Sequence, residues 1–279
     1  MSALFTEKNM KATHPYHLVN PSPWPILTAF SLFFMTGGTV MMMHNIFLWH
    51  IILSIGIIGV LICAISWWKD IIMEGRVERA HTSAVQHGLR IAMGIFILSE
   101  VMFFAGFFWS FFHASIFPDG ILEGVWVTKP GIWPPAHIET LDPWSLPFMN
   151  TLILLLSGTT VTWAHHSVMN NDQKSTVEAL GYTIILGASF TLCQAFEYHH
   201  ASFHFTDGIY ASNFYMATGF HGAHVLIGTI FLTVCYFRAR KGHFAQGNGH
   251  LGFEFASWYW HFVDVVWLFL FTFVYVLGS

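Results

Sequence analysis

Charge is what this chain has least of. Asp, Glu, Lys and Arg make up 9% of its 279 residues, against about 25% in soluble domains. So few charges cannot cover a water-exposed globule, and a mean hydropathy of +0.56 puts most of the chain in lipid, where length counts spans rather than domains. Basic residues are the scarcer sign, 11 Lys and Arg against 15 Asp and Glu for a net charge of −4. That leaves no basic surface for nucleic acid and excludes this class of partner. Cysteine is limited to Cys63, Cys193 and Cys235, each inside an apolar run and without metal-ligand spacing. This excludes a disulfide or zinc framework and leaves small buried hydrophobes. The stretch Met1–His14 carries Glu7, Lys8 and Lys11 and no apolar segment, so no cleavable secretory signal is expected and the first span is expected to direct insertion. No direct or inverted repeat stands out, which speaks against a transporter architecture.

What is present is a series of long apolar runs at about Ile26–Met43, Ile46–Trp68, Ile91–Phe112, Phe148–Ala164, Val177–Phe196, Tyr210–Phe237 and Gly252–Leu277. They predict an all-α membrane protein of seven transmembrane helices. The expected organisation is an N-terminal tail on the inner side (1–25), spans one and two (26–68), an inner loop (69–90), and a bundle of spans three to seven (91–279) with an outer loop at 113–147. Threading the chain through seven spans places Lys8, Lys11, Lys69, Arg76, Arg79, Arg90, Lys174, Arg238, Arg240 and Lys241 on one side and Lys129 alone on the other. The positive-inside rule then puts the N-terminus in the cytoplasm or matrix and the C-terminus outside. Asp119, Glu123, Glu139 and Asp142, with Trp126, Trp133 and Trp144, make the outer loop an acidic, aromatic cap or a plain connection.

At about 1.5 Å per residue, Glu100, His221, His224 and Asp264 fall near mid-bilayer, and His261 lies one turn before Asp264. Ionisable side chains there are functional candidates, or else interhelical hydrogen-bond partners, because an unpaired charge at that depth is costly. Glu100 is expected to bond to His221 or His224. Two Glu-x-x-His pairs, Glu78–His81 and Glu197–His200, have the spacing of di-iron bundle proteins. They fall on opposite sides of a membrane about 30 Å thick and cannot share one metal, so no metal site and no catalytic centre are expected on this chain. A further cluster on the inner face comprises Trp67, Trp68, Glu74, His81, Arg90, Arg238, Lys241 and His243. Basic groups beside amphipathic rings at that level attract anionic lipid headgroups, although ordinary positive-inside bias also accounts for the charges.

Several longer motifs carry a resemblance that covers almost the whole chain, from His14 to Ser279. They are Pro-Ser-Pro-Trp-Pro at 21–25, Ser-Glu-Val-Met-Phe-Phe-Ala-Gly-Phe-Phe-Trp at 99–109, Thr-Trp-Ala-His-His at 162–166, Gly-Phe-His-Gly-Ala-His at 219–224 and Trp-Tyr-Trp-His-Phe-Val-Asp-Val-Val-Trp-Leu-Phe-Leu at 258–270. In this order they resemble subunit 3 of the heme–copper cytochrome c oxidases. The resemblance implies a V-shaped subunit, two helices against five, with phospholipids in the cleft and no heme or copper of its own. It implies that redox and proton-pumping chemistry belongs to subunits 1 and 2, while this subunit packs on subunit 1 and supports sustained proton uptake. Glu100 matches the family's membrane-embedded glutamate, and Trp68, Glu74, His81, Arg238, Lys241 and His243 fall at cleft-lipid positions. Lys69 stands where many relatives have Arg.

The expected function is therefore that of a non-redox subunit of a terminal oxidase that passes electrons from cytochrome c to oxygen, in a mitochondrial inner or bacterial cytoplasmic membrane. The related quinol oxidases usually have five spans in this subunit, so the two extra N-terminal spans favour cytochrome c as donor. A stand-alone proton or solute carrier relaying through Glu100 and Asp264 is the alternative from another class, distinguished by pH-driven flux through vesicles holding this chain alone.

Overall fold

The computed structural model describes residues 15–78, 80–118, 132–135, 138–244 and 250–278. Among them all regular structure is helical: α1 (Trp24–Met43), α2 (Trp49–Arg76), α3 (Ser83–Ile116), α4 (Leu146–Met169), α5 (Gln173–His200), α6 (Ile209–Arg240) and α7 (Leu251–Leu270), the last continuing as a π-helix over Phe271–Val276. All seven are long and apolar enough to cross a membrane. In hydrocarbon no water can satisfy the backbone, so an apolar run closes its own hydrogen bonds as a helix.

Helices outlast the apolar runs that announce them. The inner loop expected at 69–90 contracts to 77–82, because α2 runs on through Lys69, Asp70 and Glu74 to Arg76 and α3 begins at Ser83. Polar side chains end the hydrocarbon-facing stretch without ending the i to i−4 ladder, so Arg90 stands on α3 rather than in a loop. Lys8, Lys11, Arg79, Lys129, Asp119, Glu123 and Trp126 lie outside the described residues, as do 119–131 and 136–137 of the expected outer cap.

Short turns set the helix order. Between α4 and α5, Asn171 adopts φ 55° and Asp172 caps α5, its carboxylate accepting from the Ser175 amide (3.1 Å) and hydroxyl (2.5 Å). Those bonds, the hydroxyl's first, hold the Asp172 carboxyl below the usual carboxylate range. Ahead of α6, Gly208 at φ 124° occupies a conformation closed to side-chain-bearing residues.

The chain forms two compact units, one reaching to Leu89 and the other starting at Arg90. In the first, the buried residues of α1 and α2 are Gly38, Gly56 and Cys63. A Cβ at Gly38 would sit 2.5 Å from the Leu53 amide nitrogen, and one at Gly56 would strike the Met35 backbone. The two backbones therefore touch through glycine, the close approach that small residues permit in lipid. At the far end of this antiparallel pair the Trp24 indole donates to the Asp70 carboxylate at 2.6 Å.

The second unit is built around α7. Trp260 and Trp267 are fully buried, and each indole N–H finds a hydroxyl on α4, Ser157 and Thr151 respectively, both at 2.9 Å. A buried Trp needs such a partner for its polar edge. Gly187 of α5 and Gly228 of α6 make the slot for Trp260, since a Cβ at either would lie 2.7 or 2.8 Å from the ring. Helix α3 joins through rings: Phe103 on Phe220 and Phe112 on Phe273, both at 5.0 Å, and Phe104 on His224 at 5.1 Å.

Candidate functional site

Glu100 lies midway along α3 and meets His224 of α6, with Nε2 and Oε2 2.9 Å apart. The other imidazole nitrogen, Nδ1, is 2.7 Å from the Phe220 carbonyl one turn earlier. A carbonyl only accepts, so Nδ1 carries a proton. The Nε2···Oε2 bond then holds one further proton, on the carboxyl or on the imidazole. Phe104, Tyr259 and Phe262 wall this pair, and both side chains keep partial exposure, 11% for His224 and 23% for Glu100.

His221, the other expected partner, does not reach Glu100. It is one turn away on α6, buried between Phe190 and Trp267, and its Nε2 donates to the Val263 carbonyl at 3.2 Å. Its Nδ1 has no hydrogen-bond partner. Asp264 is 7% exposed and lies 3.5 Å from His261 on its own helix, while His261 also contacts the Thr162 hydroxyl at 3.2 Å. Gly158 makes room for the Asp264 carboxylate, because a Cβ there would be 2.5 Å from Oδ2. Glu100 with His224 and Asp264 with His261 thus form separate sites on α3–α6 and on α4–α7, and His221 stands apart from both, bonded from α6 to α7.

A third buried site escaped the reading of spacing. Glu197 Oε1 accepts from the Tyr275 hydroxyl at 2.6 Å and from the Gln194 amide at 3.1 Å. Its other oxygen is buried without a hydrogen-bond partner. Glu197 is not engaged with His200, whose ring packs on Phe196 at 4.0 Å. The available signal was positional: Gln194 and Glu197 share a helix face near the end of span five, and Tyr275 ends span seven on the same side.

At the other end of the spans, Trp67 and Trp68 are exposed at 37% and 61%. Arg238 lies over the Phe244 ring at 5.1 Å, Lys241 is exposed, and His243 is half-buried. Arg90, expected among the lipid contacts, forms a bidentate pair with Glu254 of α7 through Nε and Nη2 at 2.8 and 2.9 Å, and its side chain keeps 36% exposure. Glu74 and His81 come together with His17, their ligand atoms all within 4.8 Å of one another. Burial, and next the neighbouring His17, hold the His81 imidazole below its usual range against the opposing pull of Glu74.

Comparison with known proteins agrees over the full length. The family described as Cytochrome c oxidase subunit III matches residues 14–279. A probable cytochrome c oxidase subunit 3 of Rickettsia bellii is 63% identical over 268 residues, 96% of this chain and 97% of the relative. The cytochrome c oxidase subunit 3 of Dugong dugon is 52% identical over 96% of this chain and 98% of its own length, and that of Prototheca wickerhamii 50% over 95% and 98%. With seven spans in the fold and this extent of identity, the chain belongs to the cytochrome c oxidase subunit III family and is an integral membrane subunit of a terminal oxidase.

Proposed function

We propose that this chain is the non-redox core subunit of a proton-pumping oxidase that takes electrons from cytochrome c to oxygen. Heme and copper are held by partner subunits 1 and 2, and the chain stabilises subunit 1 and sustains proton uptake. The N-terminus faces the cytoplasm or matrix. The observation that carries this reading is family membership over residues 14–279. The Glu100–His224 pair supports it, since a carboxyl held on a ring nitrogen at mid-span suits a poised hydrogen-bonded group better than a metal ligand. The same reading assigns phospholipid to two surfaces: the Trp67–Trp68 belt, and Arg238, Lys241 and His243 at the end of α6, where each basic group near anionic headgroups contributes about 1 kcal/mol. Glu74, His81 and Arg90 belong to the same proposed set, Arg90 while also paired with Glu254.

Removing the subunit from the purified complex tests the reading. Heme absorbance and the first turnovers should persist, while turnover-linked proton uptake fails sooner than in the intact complex. Loss of heme absorbance or of the first turnovers on removal would overturn the assignment. Arg238→Ala should lower retained phospholipid and loosen the subunit; unchanged lipid content and retention would refute the lipid contact.

A further inference from the structure

Glu197 is a buried carboxylate that no cationic side chain among the described residues pairs with. It stands in the last turn of α5, Gln194 precedes it on the same face, and Tyr275 comes from the π-helix that closes α7. The three side chains are 4%, 4% and 2% exposed. Their hydrogens are all spent inside the cluster: the Tyr275 hydroxyl donates to Glu197 Oε1 at 2.6 Å, and the Gln194 amide donates to the same oxygen at 3.1 Å and to the Tyr275 oxygen at 3.4 Å. The Tyr198 hydroxyl beside Gln194 has no hydrogen to offer either. It donates to the Thr218 hydroxyl at 2.6 Å, whose own hydrogen goes to the Phe214 carbonyl. Two acceptors are left over, Glu197 Oε2 and Gln194 Oε1, both buried without a partner. An amide nitrogen and oxygen share one carbon, so the spare oxygen of Gln194 lies beside the carboxylate that its nitrogen binds.

We propose that Glu197 Oε2 and Gln194 Oε1 bind one alkali cation, Na+, which ties the end of α5 to the end of α7. Buried charges are paired or coordinate a metal, and carboxylate and amide oxygens are hard ligands that suit hard cations rather than zinc or copper. The charge count selects a monovalent ion. One carboxylate balances it, whereas a divalent ion would leave a buried excess of positive charge. A proton on Oε2 would be a donor with no acceptor in reach, which replaces one unpaired group by another. A water molecule bridging the two oxygens would satisfy their lone pairs and leave the negative charge uncompensated. The Tyr275 oxygen accepts a single bond and is a third, neutral ligand within the cluster. It is presented by a π-helical turn, a conformation frequent at functional sites. This ion performs no electron transfer. It goes beyond the oxidase reading above and does not depend on it.

The test uses the assembled complex, exchanged into tetramethylammonium, a cation too large for the cluster, and then titrated with NaCl at constant ionic strength. At free Na+ about ten times the Kd, amide hydrogen exchange in the last turn of α5 should slow about tenfold, as linkage requires when opening releases the ion. Crystals of the complex soaked in Tl+ should show one anomalous peak between Glu197 Oε2 and Gln194 Oε1, removed by excess Na+. Gln194→Met keeps the carboxylate and most of the volume and should raise the Na+ concentration at half effect by about tenfold or more, the lower end of what an outer-shell change costs. Glu197→Gln should abolish both signals. The wild-type measurements need no variant, so they decide the matter even where a substitution prevents assembly. Exchange rates equal in Na+ and tetramethylammonium overturn the proposal. So does a Tl+ peak elsewhere, or a water molecule in the cluster that neither ion displaces. A complex that binds this cation yet fails the proton-uptake test would sink only the oxidase reading.

Discussion

The two units of this chain hold together by opposite means. In the unit that ends at Leu89, α1 and α2 touch where side chains are missing, at Gly38 and Gly56. In the unit from Arg90 onward, the contact is made by the largest side chains available, Trp260 and Trp267, each with its indole hydrogen tied to a hydroxyl. Lipid is as apolar as Leu, so burying apolar surface drives neither arrangement in the membrane. Close van der Waals fit and interhelical hydrogen bonds remain, and each unit relies chiefly on one of them. Added volume should therefore break the first, and removed volume or donors the second.

The largest effect is expected where volume is removed. Trp260→Ala should cost about 3–5 kcal/mol, as large-to-small changes in cores do, measured by denaturation in mixed micelles. A cost no larger than that of Trp68→Ala, at a side chain 61% exposed, would break the comparison. Next comes added volume. Gly38→Ala should cost about 1–3 kcal/mol through overpacking, while Gly37→Ala, one residue along the same helix with open space around it, should cost nothing by the same assay. Equal effects would remove glycine contact as the basis of the first unit. A smaller change isolates the donor: Trp267→Phe keeps most of the ring volume and loses the bond to Thr151, for about 1 kcal/mol.

The smallest effect is a pH dependence at the α5 cap. The folded Asp172 carboxyl is held below its usual range by Ser175, so its contribution is complete above the unfolded value and disappears as pH falls through the folded one. Hydrogen exchange in the first turn of α5, corrected for intrinsic rate, should accelerate at acid pH. Asp172→Asn should remove that dependence while retaining part of the cap.

The number and order of spans could be read from composition, because a hydrocarbon layer of fixed thickness imposes run length directly. Helix ends could not, since Lys69 to Arg76 are polar and helical together. Depth along a span narrowed the partner of Glu100 to His221 or His224 but did not choose between them. That choice depends on how α6 is rotated about its axis, and neighbouring helices set the rotation. Arg90 and Glu254 are separated by most of the bundle in sequence, and His17 from Glu74 by two spans. Such pairs exist only once the helices are assembled, so local spacing could not foresee that Glu197 meets Tyr275 of the seventh span.

The Glu100–His224 hydrogen bond has an electrical consequence. Because Nδ1 of His224 is committed to the Phe220 carbonyl, the two side chains together are neutral whichever atom holds the proton between them. A full charge crossing the membrane gains about 2.3 kcal/mol per 100 mV. A proton hopping about 1 Å within a hydrogen bond crosses about a thirtieth of a layer about 30 Å thick, so the same potential acts on it by well under thermal energy. The pair is a polar group at mid-span that is nearly blind to voltage, and it can keep its place while the potential across the membrane rises and collapses.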